Sequence, residues 1–323
     1  MKPSRGAPSD LQGPPDTGAA PDAGAPAAVA PEPEALNSGQ LARGFRCIAI
    51  VGVGLMGGSL GMALRLQEPA PRVIGLDRLD ETLAQAVAVG AIDQMTRDFS
   101  ELREADCVVF ATPVGITPDL MVSAAPYIPP NAVVTDLGSV KGRIVAEGSR
   151  LFGAQFIGGH PMAGSEENGI AAARADLFRG ASWALVDVRD PSAVHADAAQ
   201  QLDALVRSLG ARPLYLTADL HDHLAALVSH LPHVLAYAFA QAVAADPDAE
   251  AAVSMAGGSY RDLTRVSRSS PDLWSDIFLD NRDRLLPALA AFEGVLRDLR
   301  AAIEGGDRAA LARQLRRRAD CPE

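Results

Sequence analysis

The chain has 323 residues, of which 48% are hydrophobic and 21% charged, with a formal net charge of −11. That length is sufficient for two domains with a large core, and the acidic balance argues against nucleic acid or an anionic membrane as a partner. The three cysteines are too few and too scattered for a disulfide framework, so we expect a cytoplasmic protein.

The first 43 residues differ in composition from the rest of the chain. Residues 1–43 are rich in proline, alanine, glycine and aspartate, with almost no large apolar side chain. Such a segment cannot bury enough surface to offset the entropy of ordering. We therefore predict a disordered extension over residues 1–43, without a signal peptide. No continuous apolar run elsewhere has the length of a membrane span, so none is predicted.

Residues 44–218 alternate between short apolar runs and segments with helical spacing. The predicted strands are residues 46–53, 72–77, 106–112, 132–136, 156–159, 183–188 and 213–217. The predicted helices between them are residues 55–66, 80–89, 117–125, 143–151 and 192–209. This alternation predicts an α/β fold, a Rossmann-like, doubly wound and mostly parallel sheet with helices on both faces.

The pattern changes after the last predicted strand. Residues 220–243, 272–300 and 308–318 have helical spacing, and we find no strand-like run there. We predict an all-helical substrate and dimerisation domain over residues 219–323. The apolar helix over residues 277–299 is longer than a domain of this size can cover alone, so we expect a homodimer formed through this domain.

A glycine motif follows the first predicted strand and opens the first predicted helix. It consists of Gly52, Gly54 and Gly57, with Leu55 and Met56 between the last two. In a G-x-G-x-x-G turn the first glycine permits the tight turn and the second lets the backbone approach a pyrophosphate. The third lets the helix pack on the strand. The pyrophosphate then lies on the helix N-terminus, so the motif in this context predicts a dinucleotide site.

The residues after the next strands bear on which dinucleotide binds. Asp77 ends the second predicted strand, where a carboxylate binds both ribose hydroxyls of NAD and repels the 2′-phosphate of NADP. Arg78 beside it leaves NADP open as an alternative, and a glycine turn without nucleotide is a further one. Thr112 and Pro113 end the next long strand, where we expect them close to the nicotinamide. We predict NAD as the cofactor.

Ser139 and His160 each follow a predicted strand, so both should face the cofactor crevice. His160 lies in residues 158–169, which read Gly-Gly-His-Pro-Met-Ala-Gly-Ser-Glu-Glu-Asn-Gly and suit neither a helix nor a strand. A hydroxyl and an imidazole beside a nicotinamide predict hydride transfer from an alcohol, with one group removing the hydroxyl proton. The alternative is a histidine that makes only a structural hydrogen bond.

The helical domain carries two polar clusters. Its histidines are His221, His223, His230 and His233, and Pro232 should kink the helix between the last two. Their spacing matches no zinc motif and no cysteine or carboxylate completes a ligand set, so we predict that one or two of them contact substrate and that none binds a metal. In the second cluster, Arg261 and Arg265 flank Asp262, which indicates either a carboxylate clamp or ordinary surface salt bridges.

Together these runs resemble the prephenate/arogenate (cyclohexadienyl) dehydrogenase family of tyrosine biosynthesis. The matching pieces are residues 52–61, 136–141, 158–169, 229–233 and 257–265, followed by Trp274. They occur in the family's order and extend over roughly residues 46–285. The run from His160 and the Ser-His-Leu-Pro-His run are far more specific than the glycine motif.

The resemblance implies a reaction and a set of roles. Prephenate, a small dianion, loses hydride to NAD and CO₂ from its ring, and becomes 4-hydroxyphenylpyruvate. By this analogy His160 accepts the proton of the 4-hydroxyl with assistance from Ser139, and Arg265 holds a substrate carboxylate. The analogy also implies a set of pocket, gating or supporting residues, which are His233, Ser165, Glu166, Asp262 and Trp274.

Three alternatives remain open at this point. Arogenate, or a mixed cyclohexadienyl specificity, would need an acid near the substrate ammonium, and Glu166, Glu167 and Asp262 are all available. A β-hydroxyacid-type dehydrogenase would be expected to use a lysine in the helical domain, but Lys2 and Lys141 are the only lysines. A nucleotide-sensing binding protein has no need of His160 beside a serine and an arginine.

Overall fold

The computed structural model describes residues 44–186 and 196–316, with side chains from residue 198 in the second range. The disordered extension predicted for residues 1–43 lies outside the described residues. So do the end of the strand predicted to reach residue 188, the start of the helix predicted from residue 192, and residues 317–323.

The first part of the chain forms one eight-stranded sheet with the strand order β3-β2-β1-β4-β5-β6-β7-β8. The strands are Cys47–Val51 (β1), Arg72–Leu76 (β2), Gln94–Thr96 (β3), Cys107–Phe110 (β4), Val133–Asp136 (β5), Phe156–Pro161 (β6), Ser182–Val186 (β7) and Arg212–Leu216 (β8). All neighbouring pairs are parallel except β6 and β7. The prediction of a mostly parallel, doubly wound sheet is confirmed.

Helices cover both faces of this sheet and then form the second part of the chain. They are Leu55–Leu64 (α1), Asp80–Ala88 (α2), Thr117–Ala124 (α3), Gly142–Phe152 (α4), Ala196–Ser208 (α5), Ala218–Ala225 (α6), Leu231–Ala244 (α7), Ala249–Ser254 (α8), Gly258–Arg265 (α9), Pro271–Asp280 (α10), Arg282–Glu304 (α11) and Arg308–Arg316 (α12). Alternate side chains of β1 point to opposite faces of the sheet and belong to two separate hydrophobic cores. Ile48 and Ile50 join the core that includes side chains of α1 and α5, whereas Ala49 and Val51 join the other.

The sixth strand is longer than predicted. β6 continues through His160 and Pro161, so the expectation of an irregular segment from residue 158 is wrong at these positions. The cause is the antiparallel partner β7, which pairs His160 with Ala184 and Pro161 with Trp183. The strand β3 was also missed, because it has only three residues and pairs with β2 alone.

Both long helices predicted in the second part contain an irregularity. The first is continuous over residues 218–244, but a π-helical turn, Ala226–His230, separates α6 from α7 just before Pro232. The helix predicted over residues 272–300 is divided at Asn281, which leaves helical geometry between α10 and α11. The Asn281 side chain instead donates hydrogen bonds to the Asp222 carbonyl and to His230 Nδ1. α8 and α9 were not predicted.

One helical stretch needs comment because of its length and composition. Residues 218–244 are long and apolar enough to cross a membrane by those two criteria, although only 17% of the tested window is buried. Core helices of proteins outside membranes meet the same two criteria, and the stretch contains no continuous apolar run of spanning length, so the expectation of no membrane span stays a prediction. The boundary predicted between residues 218 and 219 stays a prediction, and β8 and α6 end and begin beside it.

Candidate active site

A cavity of about 490 Å³ opens where the carboxyl ends of the central strands meet the helical part of the chain. Most of the predicted site residues line it. They are Gly54, Leu55, Met56, Thr112, Pro113, Ser139, His160, Ser165, Glu166, His233, Arg265 and Trp274. Five others do not line it, namely Gly52, Gly57, Asp77, Arg78 and Asp262. The sheet edge thus gathers residues that are up to 220 positions apart in the sequence.

The glycine turn has the shape that a dinucleotide requires. Gly52 has a φ of +94°, and a Cβ there would lie 2.6 Å from the Ala111 carbonyl oxygen. A Cβ on Gly57 would lie 1.9 Å from the Gly52 carbonyl oxygen, so the helix packs directly on the turn. Gly54 has open space where its side chain would be. Backbone amides at the start of α1 are therefore accessible to a pyrophosphate, and the chain fits the group.

Asp77 lies next to this turn. Its carboxylate accepts a hydrogen bond from the Val53 amide at 3.2 Å and another from the Leu79 amide at 3.1 Å. These bonds hold the carboxylate beside the nucleotide turn, where it can accept ribose hydroxyls. Arg78 is exposed at the same end of β2.

His160 is the cavity end of a buried series of hydrogen-bonded side chains. Its Nδ1 lies 2.8 Å from His221 Nε2, and His221 Nδ1 lies 2.8 Å from Asp222 Oδ1. Burial lowers the pKa of His160 well below 6.5, and electrostatic interactions with His221, Lys141 and His230 lower it further. The imidazole is therefore neutral at pH 7 and available as a proton acceptor.

A buried ion pair fixes the strands that carry Ser139 and His160. Lys141 and Asp136 are both completely buried, and the Lys141 ammonium also donates to the Gly159 carbonyl at 2.7 Å. The Asp136 carboxylate accepts from the amides of Gly138 at 2.8 Å and Gly159 at 3.1 Å. One carboxylate thus joins the turn that precedes Ser139 to the residue that precedes His160. Lys141 does not line the cavity.

The helical side of the cavity is aromatic. The rings of His233 and Trp274 stack with centroids 3.5 Å apart and an interplanar angle of 20°. His233 Nδ1 donates to the Ser229 carbonyl at 2.9 Å, which leaves Nε2 as the remaining polar atom of the ring. Burial lowers the pKa of His233, and the nearby Arg265 adds to this effect.

Arg265 faces the cavity from α9 and pairs with a carboxylate outside its own cluster. Its guanidinium lies 3.4 Å from the Glu166 carboxylate, on the segment that follows β6. Asp262 is exposed and makes no ion pair with Arg265 among the described residues, while Arg261 contacts the Ala256 carbonyl. The two arginines and Asp262 therefore do not form a joint clamp, because the chain brings Glu166 to Arg265 from a distant strand.

Sequence reasoning missed the residues behind the cavity. Asp136, Lys141 and Asp222 received no role, and His221 was expected only as one of several histidines of which one or two should contact substrate. A single lysine among the described residues and an aspartate directly after a histidine were the available signals. Among the described residues, no group of three or more histidine, cysteine, aspartate or glutamate side chains is arranged to hold a metal ion.

Comparisons with known proteins agree with this geometry. Residues 60–214 match a family model described as "Prephenate dehydrogenase, nucleotide-binding domain", and residues 217–317 match "Prephenate dehydrogenase, dimerization domain". The chain is 34% identical over 244 residues to a prephenate dehydrogenase of Bacillus subtilis, a match covering 74% of this chain and 65% of that protein. It therefore spans just under two thirds of that relative.

Two further relatives are covered more fully. The chain is 35% identical over 268 residues to a cyclohexadienyl dehydrogenase of Zymomonas mobilis, covering 81% of this chain and 90% of that protein. Its structure is similar to that of prephenate dehydrogenase from A. aeolicus in complex with hydroxyphenyl propionate and NAD⁺. That similarity has a TM-score of 0.78 and 30% identity, over 84% of this chain and 95% of the other.

The buried histidines predict a specific dependence of stability on pH. His160, His221 and His230 all have lowered pKa values, that of His230 falling to about 4 because of burial and then the charge of His221. Below pH 6.5 the unfolded chain therefore binds protons that the folded protein excludes, and the free energy of unfolding falls. Between pH 6.5 and pH 4, His230 alone should lower the free energy of unfolding by about 3 kcal/mol.

Urea unfolding at intervals from pH 7.5 to 4 measures this effect. Carboxylates with ordinary or lowered pKa values lose their contribution mainly below pH 4.5, so the decline between 6.5 and 4.5 reports the histidines. The exposed His223, changed to Gln, is the control and should leave the profile unaltered. A free energy of unfolding that stays constant between pH 6.5 and 4.5 contradicts the buried neutral histidines.

Proposed function

The chain belongs to the prephenate dehydrogenase family, and on that premise we propose that it catalyses the NAD-dependent oxidative decarboxylation of prephenate to 4-hydroxyphenylpyruvate. The observation that carries the proposal is His160, a buried neutral imidazole that lines the cavity beside Ser139. The nucleotide turn reaches the same cavity through Gly54, Leu55 and Met56. A proton acceptor and a hydride acceptor thus share one space.

NAD supplies the hydride acceptor when it is bound. The amides at the start of α1 would bind its pyrophosphate, and the Asp77 carboxylate would accept its ribose hydroxyls. That carboxylate would repel the 2′-phosphate of NADP, which supports NAD as the cofactor. Thr112 and Pro113 line the cavity beyond the turn, where they would contact the nicotinamide half.

His160 performs the proton chemistry in this proposal. It accepts the proton of the 4-hydroxyl as hydride leaves the same carbon, and the Ser139 hydroxyl orients that oxygen. Loss of CO₂ and aromatisation of the ring supply the driving force. The protein therefore has mainly to orient the substrate and hold one proton, which needs few groups placed with precision.

Arg265 binds the anionic substrate in this proposal. It is the only arginine or lysine among the residues that line the cavity, in a chain with a net charge of −11. A guanidinium forms two parallel hydrogen bonds to a carboxylate, so it can hold one end of the dianion. Glu166 has to release Arg265 when the substrate enters, and His233 and Trp274 form the wall opposite.

Arogenate is the second candidate substrate. Glu166 lines the cavity, and its carboxylate could accept a hydrogen bond from the ammonium that replaces the ketone of prephenate. The similarity to a cyclohexadienyl dehydrogenase also supports a mixed specificity. We favour prephenate, because Arg265 already engages Glu166 and the named relatives include prephenate dehydrogenases.

We also propose a cytoplasmic homodimer that forms through the helical part of the chain. The family model that matches this part describes a dimerization domain. Its helices expose many apolar side chains, and the apolar stretch of residues 218–244 is only 17% buried in its tested window. A second copy would cover this surface. The described cysteines, Cys47 and Cys107, are free, which is compatible with a reducing compartment.

NADH formation by the purified protein tests the activity. Prephenate should give NADH and 4-hydroxyphenylpyruvate, more efficiently than arogenate and with no turnover of simple hydroxyacids. His160→Asn should lower kcat by about 100- to 10,000-fold with little change in KM, because it removes the proton acceptor and keeps the cavity. The exposed His223→Asn is the control. Absence of turnover with both cyclohexadienes contradicts the proposed activity.

Arg265→Ala should act mainly on substrate binding. Loss of a charge-assisted contact made in both the ground and the transition state should raise KM for prephenate by about 10- to 100-fold and leave kcat nearly unchanged. Arg268→Ala, an exposed arginine outside the cavity, is the matched control. A KM within twofold of wild type would mean that another group binds the carboxylate.

Light scattering after size exclusion tests the dimer. At micromolar concentration the mass should be about 67 kDa, twice 33.7 kDa. Phe239→Glu and Leu296→Glu, each on an exposed apolar position of the helical part, should shift the mass toward the monomer. Leu66→Glu, exposed at the end of α1, should not. A wild-type monomer, or a protein that requires detergent, argues against the dimer.

A further inference from the structure

Behind the cavity, Asp222, His221 and His160 form a continuous hydrogen-bonded chain. The two links are each 2.8 Å long, and all three residues are buried. Only His160 lines the cavity, so the other two cannot touch a substrate there. Any role of His221 and Asp222 in the reaction must therefore act through His160.

The donors and acceptors in this chain follow from the carboxylate. An ionised carboxylate only accepts, so His221 Nδ1 carries the proton in the link to Asp222. In the neutral imidazole His221 Nε2 then has the lone pair, and His160 Nδ1 must donate to it. Neutral His160 is left with its lone pair on Nε2. That atom has no hydrogen-bond partner among the described residues, and it is the one available to a substrate in the cavity.

Backbone hydrogen bonds fix the Asp222 carboxylate in the position from which it determines which nitrogen of His221 carries the proton. Its Oδ1 accepts from the Lys141 amide at 2.8 Å and its Oδ2 from the Gly142 amide at 2.9 Å, at the start of α4. The side chain of Asn281 donates to its carbonyl at 2.8 Å. Burial raises the pKa of Asp222, but the bonds from His221 and from the two amides outweigh it and leave the pKa below its usual value.

We propose that His221 and Asp222 are positioning residues that hold His160 in the Nδ1–H tautomer and stabilise the proton that it takes from the substrate hydroxyl. This inference rests on the proposed function. It assigns a task to two buried groups that the binding of substrate and cofactor does not use. The arrangement is that of a carboxylate that orients a base, extended by one imidazole.

The proton balance of the reaction shows why His160 needs support only while it is charged. In the overall reaction prephenate, a dianion, and NAD⁺ become 4-hydroxyphenylpyruvate, a monoanion, with CO₂ and NADH. No proton is released. The O–H bond breaks as hydride leaves C4, and the proton forms a bond to His160 Nε2. The C1–carboxylate bond then breaks, its electron pair enters the ring, and the resulting phenolate takes the proton back. His160 is charged only between these two steps.

The charged groups around His160 and His221 favour only transient protonation of His160. Lys141 and His230 face His160, and the Lys141 charge is balanced by Asp136. His221 faces Asp222, Asp136 and Lys141. Burial and neighbouring positive charge disfavour a lasting imidazolium at His160, so the proton returns readily to the phenolate. Asp222 provides the compensating negative charge through His221 while the imidazolium exists.

Substitutions at His221 test the proposal in the full-length protein. His221→Leu should lower kcat for prephenate by about 100-fold or more, with KM within about threefold of wild type. His221→Gln, whose amide oxygen can accept from His160 Nδ1, should recover about tenfold of that loss. His223→Leu, on the exposed side of the same helix, is the matched control and should behave as wild type. Thermal melts establish that each variant is folded.

The pH profile separates positioning from a purely structural role. In the wild type the acidic limb of kcat/KM should fall below pH 6.5, because protonation inactivates His160 and its pKa is lowered. His221→Leu removes the acceptor that stabilises the His160 imidazolium through Asp222, so the limb should move to still lower pH. Asp222→Asn, which removes the negative charge that compensates the imidazolium, should lower kcat as His221→Leu does.

Nitrogen-15 NMR of the histidines gives a measurement that does not depend on turnover. His160 should be protonated at Nδ1 at pH 7.5 in the wild type, and should lose that preference in His221→Leu. A wild-type His160 protonated at Nε2 overturns the proposal, whatever its substrate. So does a folded His221→Leu variant with wild-type kcat and pH profile. If the tautomer is as expected but neither prephenate nor arogenate is oxidised, the proposed function fails and the positioning of His160 stands.

Discussion

The ion pair between Asp136 and Lys141 is the constraint on which the site depends. Both side chains are completely buried, and between them they also bond the backbone of Gly138 and Gly159. Removing either partner would leave a buried charge uncompensated, at a cost of about 3–5 kcal/mol. The pair therefore locks β5 to β6 at the carboxyl edge of the sheet. Ser139 lies just after β5 and His160 lies near the end of β6, so their separation is set before any ligand arrives.

The same region joins the two parts of the chain. The amides of Lys141 and Gly142 at the start of α4 bond the carboxylate of Asp222, which belongs to α6. Asn281 then ties the Asp222 carbonyl to His230, across the interruption between α10 and α11. Breaks in the predicted helices thus coincide with hydrogen bonds that bring helical residues to the sheet. The cavity is formed from both parts because these polar contacts fix their docking.

Local patterns predicted much of this protein. The apolar runs identified seven of the eight strands of the described sheet, and the glycine spacing identified the turn that fits a dinucleotide. They failed where pairing overrode local preference. β7 draws His160 and Pro161 into a strand that their glycine-rich surroundings disfavour, and β3 exists only through β2. The ion pair between Arg265 and Glu166 was not predicted for the same reason, because Glu166 is distant in sequence.

Residue type and short-range spacing were sufficient to predict the class of fold, the nucleotide turn and the candidate residues His160, Ser139 and Arg265. The surroundings of these residues depend on the tertiary fold. The 2.8 Å hydrogen bond between His160 and His221 joins residues that are 61 positions apart in the sequence. Hydrogen bonds and burial act over a few ångströms of space and not along the sequence. The tautomer and the pKa of the candidate base therefore follow from the folded neighbourhood alone.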